Sequence, residues 1–433
     1  MTFILDGPID FDRYVEWLAP RIERLPRLRH VVKPSPLHLR LPAWVPAANF
    51  DLAKHVVRAQ VEPPGDAERL GTLLTELYRR GLPRDRPLWR LFVIEGIEGG
   101  RSALLFCAHH CLTDGAGFME MVKVFFDTPA EGWPEHVHAS RENGNRRPDG
   151  WVPVRIARTL ASREGRARVA AMLRYLRAPG LWFPFSRPVS GRMHFAWWKV
   201  PLDEFRAVRA ATGGTVTDVA ATIFATGLAR YAERHGLPVE DRFLRLQLAA
   251  NVRRKENYGK LGNEVSVVPV IVPLGAMGPL ERLRSVVEST RAAKALGMAE
   301  FMRGFFDGLF ALLTPPGQAL FVRILASERF LRLNRRIAGS PRDHTCTTSV
   351  VMPPLTYRAQ GVPVVSLMPL IPCSADMGLL NVALAYGGHL QFTLAGDAEG
   401  IPDLDVLMDH VKAAFAELKA VCMAAPTADL AVN

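Results

Sequence analysis

The sequence predicts an α/β fold (α+β, with mixed sheets) in two comparable halves. The chain has 433 residues, a length that suits two domains of ordinary size. Apolar residues make up 48% and charged residues 22%, the balance of a globular chain rather than a disordered or fibrous one. Short apolar runs of strand length alternate with amphipathic runs of helix length on both sides of a charged stretch rich in Pro and Gly, the pattern of mixed sheets carrying helices. A chain of this size buries enough surface to fold without disulfides or a structural metal.

Phe11–Leu25 places Phe11, Val15, Leu18, Ile22 and Leu25 three or four apart, which predicts a helix with one buried face. Trp89–Glu95 and Ser102–Ala108 are short apolar runs flanked by Gly or Pro and predict strands. Phe118–Phe126 reads as a helix with Phe118, Met121, Val122 and Phe125 on one side. Asp127–Pro153 mixes Pro and Gly with charges and reads as a surface connection. Arg155–Arg177 holds seven arginines, with Val169, Met172, Leu173 and Leu176 at helical spacing. It is either a solvated crossover helix or a basic amphipathic helix suited to an anionic membrane surface.

The second half opens with the strand His194–Val200. Thr217–Glu233 follows as a mostly apolar helix with Thr217-Asp218 as its cap. Phe243–Ala249 and Val265–Val272 read as strands. Phe301–Leu333 is a greasy helical stretch interrupted at Pro315-Pro316-Gly317. Ser349–Val351, Val362–Leu367, Leu379–Ala385 and Leu390–Leu394 are four strands in succession, and Asp403–Met423 closes as a helix. The expected division is residues 1–150, a crossover over 151–190, and residues 191–433.

Lys plus Arg number 54 against 43 Asp plus Glu, a formal charge of +11, which favours acidic partners. The arginines are scattered and no nucleic-acid-binding signature is present, so nucleic acid is not expected. Five cysteines, odd in number and unevenly spaced, read as reduced thiols. The apolar stretch Val265–Leu280 is broken by three prolines and falls short of the roughly 20 residues of a membrane span. The opening MTFILDGPIDFDRY lacks the basic and apolar regions of a signal peptide. A cytoplasmic location, with peripheral membrane association left open, is the expectation.

The stretch that carries chemistry is Leu104–Gly117, LLFCAHHCLTDGAG. An apolar strand delivers two histidines to its end, and imidazole is the side chain suited to taking a proton near neutral pH. Successive strand residues point to opposite faces, so one histidine acts while the other packs unless the strand has already ended. Asp114 lies in a turn that Gly115 and Gly117 permit through positive φ, where its carboxylate braces the turn or holds an arginine. Three rival readings stand beside this one. The pair suits two structural histidines. Cys107, His109, His110 and Cys111 together suit zinc, although no second Cys/His cluster follows. A nucleophilic Cys107 or Cys111 beside histidine is the third.

His109-His110-Cys111-Leu112-Thr113-Asp114-Gly115 resembles the HHxxxDG signature of the coenzyme A-dependent acyltransferase superfamily. Arg86-Pro87-Leu88-Trp89 followed by Val93-Ile94-Glu95-Gly96, and Phe50-Asp51-Leu52 with His55, are similar to the bacterial wax ester synthase/diacylglycerol acyltransferase family within it. So are Leu261-Gly262-Asn263, Tyr386-Gly387-Gly388 with Leu390-Gln391-Phe392, Asp397, and Pro402-Asp403. The resemblance spans nearly the whole chain. It implies two chloramphenicol acetyltransferase-like domains in a pseudo-symmetric arrangement, with an active-site tunnel between them. It implies a catalytic set of His110 as general base with His109 and Asp114, the last in an architectural part. Gly115, Asn251 and Arg253 are implied as supports, Arg253 as the partner of Asp114. Trp89, Thr217, Asp218 and Ser349 are candidates for the substrate channel, although a Trp beside a strand, as Trp89 is, more often belongs to the core.

The chain departs from the family pattern in three places. Thr217-Asp218 stands where the family has Asn-Asp. Ser349–Pro354 replaces an Asn-x-Pro-Gly-Pro turn, and Pro184-Phe185-Ser186 replaces Pro-Leu-Asn. The implied activity is transfer of a fatty acyl group from acyl-coenzyme A to a long-chain alcohol or diacylglycerol, forming wax ester or triacylglycerol. No cofactor is permanently bound, the coenzyme A thioester being a substrate, and no metal is implied. Two alternatives remain: a condensation-type catalyst using another alcohol, an amine acceptor or a carrier-protein thioester, and a lipid-binding homologue without turnover.

Overall fold

Among residues 1–127, 161–337 and 344–424, which the computed structural model describes, strands and helices alternate from the first residues onward. They run β1 (Thr2–Leu5), α1 (Phe11–Leu18), β2 (His30–Lys33), β3 (Ala43–Pro46), β4 (Val56–Gln60), α2 (Ala67–Arg79), β5 (Trp89–Ile97), β6 (Arg101–Ala108) and α3 (Gly115–Phe125). Then come α4 (Arg163–Arg177), β7 (Met193–Pro201), α5 (Leu202–Thr212), α6 (Val216–Arg234), β8 (Phe243–Asn251), β9 (Val265–Pro273) and α7 (Pro279–Ala295). The chain continues through α8 (Met298–Ala311), α9 (Pro315–Leu325), α10 (Glu328–Ile337), β10 (Thr345–Val351), β11 (Arg358–Ala359), β12 (Val362–Met368), β13 (Leu379–Tyr386), β14 (His389–Asp397) and α11 (Leu404–Ala424).

These elements form two compact units that interleave along the chain. The first takes the described residues of 1–143 together with Asn251–Val265 and Val351–Leu370, and the second takes those of 144–250, 266–350 and 371–433. In the first unit the sheet order is β11-β12-β1-β6-β5-β4. Every pair is antiparallel except β4 with β5. Phe3 of β1 lies between Leu367 and Leu104, so a strand from the far end of the chain completes the sheet. Leu91–Ile94 and Ala103–Phe106 are buried without a break, since both faces of these central strands are covered. The hairpin β2–β3 makes a separate two-stranded sheet. In the second unit the order is β7-β14-β13-β10-β8-β9, with β10 parallel to β8 and α6 packed on α11.

Several local readings are corrected. The helix expected over Phe11–Leu25 stops at Leu18, one residue short of Ala19-Pro20, because proline cannot continue the i to i−4 ladder. Short 3₁₀ turns carry Ile22 into the core instead. The cap of α6 is Thr215 rather than Thr217. Its hydroxyl accepts the Asp218 N–H, and Asp218 reaches back to the Thr215 N–H at 2.8 Å, a reciprocal capping box. The basic helix begins at Arg163 with Ser162 as its cap; Arg155, Arg158 and the connection from residue 128 to Pro153 lie outside the described residues. Tyr175 is its buried anchor, whereas Leu173 and Leu176 remain exposed. Among the described residues no single helix is long and apolar enough to cross a bilayer. α8 and α9 reach that length only jointly, across a 120° bend.

His344, at the entry to β10, is fully buried in the second unit. Its Nδ1 accepts the Arg245 backbone N–H at 2.8 Å, which leaves Nε2–H to donate to the Leu181 carbonyl at 2.8 Å. Burial, and then the Arg245 charge, push its pKa down to about 3. An unfolded histidine titrates near 6.5, so between these values the unfolded chain binds the extra proton and the folded chain does not. Stability from this site is complete above pH about 6.5 and is lost progressively toward about 3. The urea midpoint of the native chain is expected to fall as pH drops from 7 to 4. His344→Gln, less stable at neutral pH, is expected to show a shallower slope over that range.

Candidate active site

β6 ends at Ala108, so His109 and His110 occupy the turn that follows it and the alternation rule no longer separates them. Both are exposed. The turn is pinned by the His109 N–H donating to the Leu88 carbonyl at 3.0 Å and the Leu112 N–H donating to the His109 carbonyl at 2.8 Å. Leu112 itself is buried. The His109 ring is engaged, because its Nδ1 accepts the Cys111 N–H at 3.2 Å, which places the ring proton on Nε2. Burial and the charges of Arg84 and His110 lower its pKa. The His110 ring makes no hydrogen bond to a described residue. Of the two histidines, 109 braces the turn and 110 is uncommitted.

The flanking Cys107 and Cys111 are shifted away from the thiolate form. Burial raises both, with the amino terminus and Arg90 opposing it at Cys107 and Arg27 opposing it at Cys111, the reverse of the depressed pKa that a reactive cysteine needs. Among the described residues no three His, Cys, Asp or Glu side chains gather in a metal-binding arrangement.

Four residues after His110 the chain enters α3 through Asp114, which is 3% exposed. Its carboxylate caps the helix by accepting the Gly117 N–H at 2.9 Å. The same Oδ1 accepts from Arg253 Nη2 at 2.8 Å, and Oδ2 accepts the Glu264 N–H at 2.8 Å. The expected pairing of Asp114 with Arg253 is therefore formed, with both charged groups nearly inaccessible. Arg253 donates further to the carbonyls of Asn257, Lys260 and Gly262. Asn251 sets up this arrangement: its side-chain oxygen accepts the Arg253 N–H at 2.9 Å as β8 ends. The oxygens of Asp114 are thus spent on the fold.

Gly115 and Gly117 take helical rather than positive φ, contrary to the expectation for this turn. What position 117 requires is space: a Cβ there would stand 2.6 Å from Thr113 Oγ1 and 3.3 Å from Arg253 Nη2. Gly115 has no such neighbour. Gly262 does need its glycine, with φ 149°. In that conformation its carbonyl accepts from both the Asp114 N–H at 3.1 Å and Arg253 Nη2 at 2.6 Å. Glu264 and the carbonyls of Asn257 and Lys260 were not foreseen as parts of this lock. The Leu261-Gly262-Asn263 patch was their one trace in the sequence.

The channel candidates fare differently. Trp89 is a core residue, 1% exposed. Its indole donates to the Leu28 carbonyl at 2.7 Å and its rings stack on His55 at 4.5 Å. Thr217, Asp218 and Ser349 belong to the second unit. Asp218 is buried and committed to the α6 cap and to Thr290 on α7, whose hydroxyl donates to it at 2.8 Å; Thr217 is half-buried beside it. Ser349 on β10 keeps a buried hydroxyl without a hydrogen-bond partner.

Removing one partner of a buried ion pair strands the other charge and costs about 3–5 kcal/mol. Asp114→Ala and Arg253→Met are each expected to lower the stability of the first unit by that amount in urea unfolding. The double variant is expected to lose less than the sum of the two, because the pair is coupled. Additive losses would show that the two charges do not support each other.

Comparison with known proteins adds an independent line. Residues 4–220 match the model of the wax ester synthase/diacylglycerol acyltransferase catalytic domain, and residues 261–419 match that of the C-terminal domain of the same family. A protein of Mycobacterium bovis named as a diacylglycerol O-acyltransferase is 26% identical over 96% of this chain and 90% of its own length. A second protein so named, from Mycobacterium tuberculosis, is 32% identical over 63% of this chain and 62% of its own. Among solved structures, the wax ester synthase/diacylglycerol acyltransferase of Marinobacter aquaeolei superposes with a TM-score of 0.64 at 18% identity, covering 98% of this chain and 94% of the other. The first condensation domain of the CDA synthetase gives 0.63 at 18% identity, covering 98% and 91%. These likenesses fix the fold. With both domain models matched in order along the sequence, the chain belongs to the wax ester synthase/diacylglycerol acyltransferase family.

Proposed function

We propose that the protein transfers a fatty acyl group from acyl-coenzyme A to the hydroxyl of a long-chain alcohol or diacylglycerol, with His110 as general base. The observation that carries this reading is the exposed imidazole of His110, which makes no hydrogen bond to a described residue, on a turn where His109 Nδ1 and the Asp114 carboxylate are engaged. Family membership and relatives named as diacylglycerol O-acyltransferases support the reaction class.

In the proposed reaction His110 removes the proton from the acceptor hydroxyl as its oxygen attacks the thioester carbonyl. The tetrahedral intermediate collapses, the carbon–sulfur bond breaks, and the imidazolium returns the proton to the departing thiolate. The products are an ester and free coenzyme A, and no acyl-enzyme forms. General-base assistance contributes roughly 10²–10⁴ in rate; positioning and hydrogen bonds to the oxyanion supply the remainder. The positive charge of the chain suits coenzyme A phosphates and anionic lipid headgroups alike, and peripheral contact with lipid belongs to this reading.

The test is release of free thiol from palmitoyl-coenzyme A in the presence of hexadecanol or dioleoylglycerol, with ester confirmed by mass spectrometry. His110→Ala is expected to lose about 10²–10⁴ in kcat, whereas Cys107→Ala with Cys111→Ala retains the native rate. Equal rates for the native chain and His110→Ala would end the general-base assignment. Loss of activity in the cysteine variant would return thiol chemistry to consideration.

A further inference from the structure

We propose that the β2–β3 hairpin is a docking finger for an anionic phospholipid bilayer, with leucines at its tip and basic residues along its root. The proposal rests on the acyltransferase reading in one respect: substrates as apolar as those proposed are held in such surfaces.

At the tip, Leu37, Leu39 and Leu41 are 84, 63 and 60% exposed. Three large apolar side chains within five residues form an exposed patch of the kind that marks an interaction site. The tip is a built turn. The His38 N–H donates to the Ser35 carbonyl at 3.0 Å and the Arg40 N–H to the Ser35 hydroxyl at 3.2 Å. Leu37 and His38 are held at φ of 49° and 57°, a region that bulky residues enter at a cost. A backbone strained so as to leave leucine outward points to a role for that leucine.

Charge selects the occupant. From Arg24 to Phe50 the chain carries Arg24, Arg27, Arg29, Lys33 and Arg40, and no Asp or Glu; Arg29 pairs with Glu23 just before this stretch, which leaves the other four to meet an anionic surface. Trp44 on β3 lies under the Arg27 guanidinium at 4.8 Å, an amphipathic ring at the level where headgroups would meet the finger. Lys33 and Arg40 are exposed beside the leucines. A second copy of this chain would set the same basic stretch against itself, on a molecule already at +11. An anionic bilayer offers both apolar depth and opposite charge.

The root of the finger adjoins the candidate active site. The Leu28 carbonyl, just before β2, accepts the Trp89 indole N–H, and β5 pairs with β6, which leads to the histidines. Burial raises the Cys111 thiol and the charge of Arg27 opposes it, so the basic root and the histidine turn lie within electrostatic reach. The finger thus places the His110 turn beside the surface from which apolar substrate comes.

The test uses the full chain and vesicles of phosphatidylcholine, alone or with about 30% phosphatidylglycerol, in co-sedimentation. The native chain is expected to bind the anionic vesicles. Leu37→Ser, Leu39→Ser and Leu41→Ser together should weaken that binding about ten-fold or more, since each leucine withdrawn from lipid forfeits its burial. Lys33→Gln with Arg40→Gln should reduce the preference for anionic over neutral vesicles. In turnover, the triple leucine variant is expected to keep the native rate on hexanoyl-coenzyme A with hexanol and to lose rate on dioleoylglycerol presented in vesicles. Absence of native binding, or equal binding by native chain and triple variant, overturns the proposal; the latter assigns lipid contact to another surface, such as exposed Phe305, Phe306 and Leu320. A native dimer that becomes monomeric in the triple variant overturns it in favour of self-association. Vesicle binding without turnover on either substrate pair leaves docking standing and defeats the acyltransferase reading, so the two failures are separable.

Discussion

The buried pair of Asp114 and Arg253 is the constraint on which the candidate site depends. It joins residues 139 apart in sequence and draws the whole of Asn251–Val265 into the first unit. Almost every polar atom of the pair is used. The carboxylate accepts from the Gly117 and Glu264 N–H groups as well as from the guanidinium, which also meets three carbonyls. Among the described residues, Arg253 Nε lacks a partner. A pair so deeply buried contributes less to net stability than to geometry, because desolvation offsets the Coulomb attraction. What it provides is a single permitted conformation for the turn four residues upstream. A helix N-terminus, a strand end and a distant loop are all referred to one carboxylate.

That rigidity explains how adjacent histidines take different parts. His109 accepts the Cys111 N–H at Nδ1, and its partial desolvation with the nearby charges of Arg84 and His110 lowers its pKa. A ring used in this way cannot accept a substrate proton at the same nitrogen. His110 carries no such duty. Nearby, burial raises the pKa of both cysteine thiols, which favours His110 as the base in the proposed reaction. General-base catalysis, as proposed for His110, requires geometry first and basicity second, and the surrounding hydrogen bonds hold the turn that carries it.

The local parts of this arrangement are legible in the sequence and the long-range parts are not. An apolar strand ending in His-His, followed by Asp-Gly, gives the end of β6, the two imidazoles and the head of α3 from pattern alone. The alternation of apolar runs likewise gives β5 through β8 and the C-terminal strands to within a few residues. Nothing local shows that β12 lies beside β1 or that 251–265 packs with the first unit, because those pairings are settled by burial of whole faces. The α6 cap is missed by two residues because Thr215 and Thr217 are equally good capping types; the reach of Asp218 decides between them. The sequence suggests positive φ at Gly117, whereas the packed guanidinium makes its missing Cβ the relevant property. Trp89 was ambiguous until its indole found the Leu28 carbonyl. The α2 helix carries Leu70, Leu74 and Leu77 on a buried face, a helical periodicity that the sequence displays.

An exposed base, as proposed for His110, poses a chemical problem that the rest of the molecule has to answer. Water is as good a proton donor to an imidazole as an alcohol is, and hydrolysis of the thioester would compete with ester formation. Selectivity in the proposed reaction therefore requires that the acceptor be far more concentrated than water at the reacting atoms. Precise contacts to a featureless alkyl chain cannot provide this, since each methylene adds only about 0.8 kcal/mol and directs nothing. Delivery from a lipid phase can, because the acceptor is concentrated there and water is depleted. On this view a basic, leucine-tipped hairpin rooted against the histidine turn is part of the same chemical solution as His110, and acyl transfer and surface docking are linked by the exclusion of water.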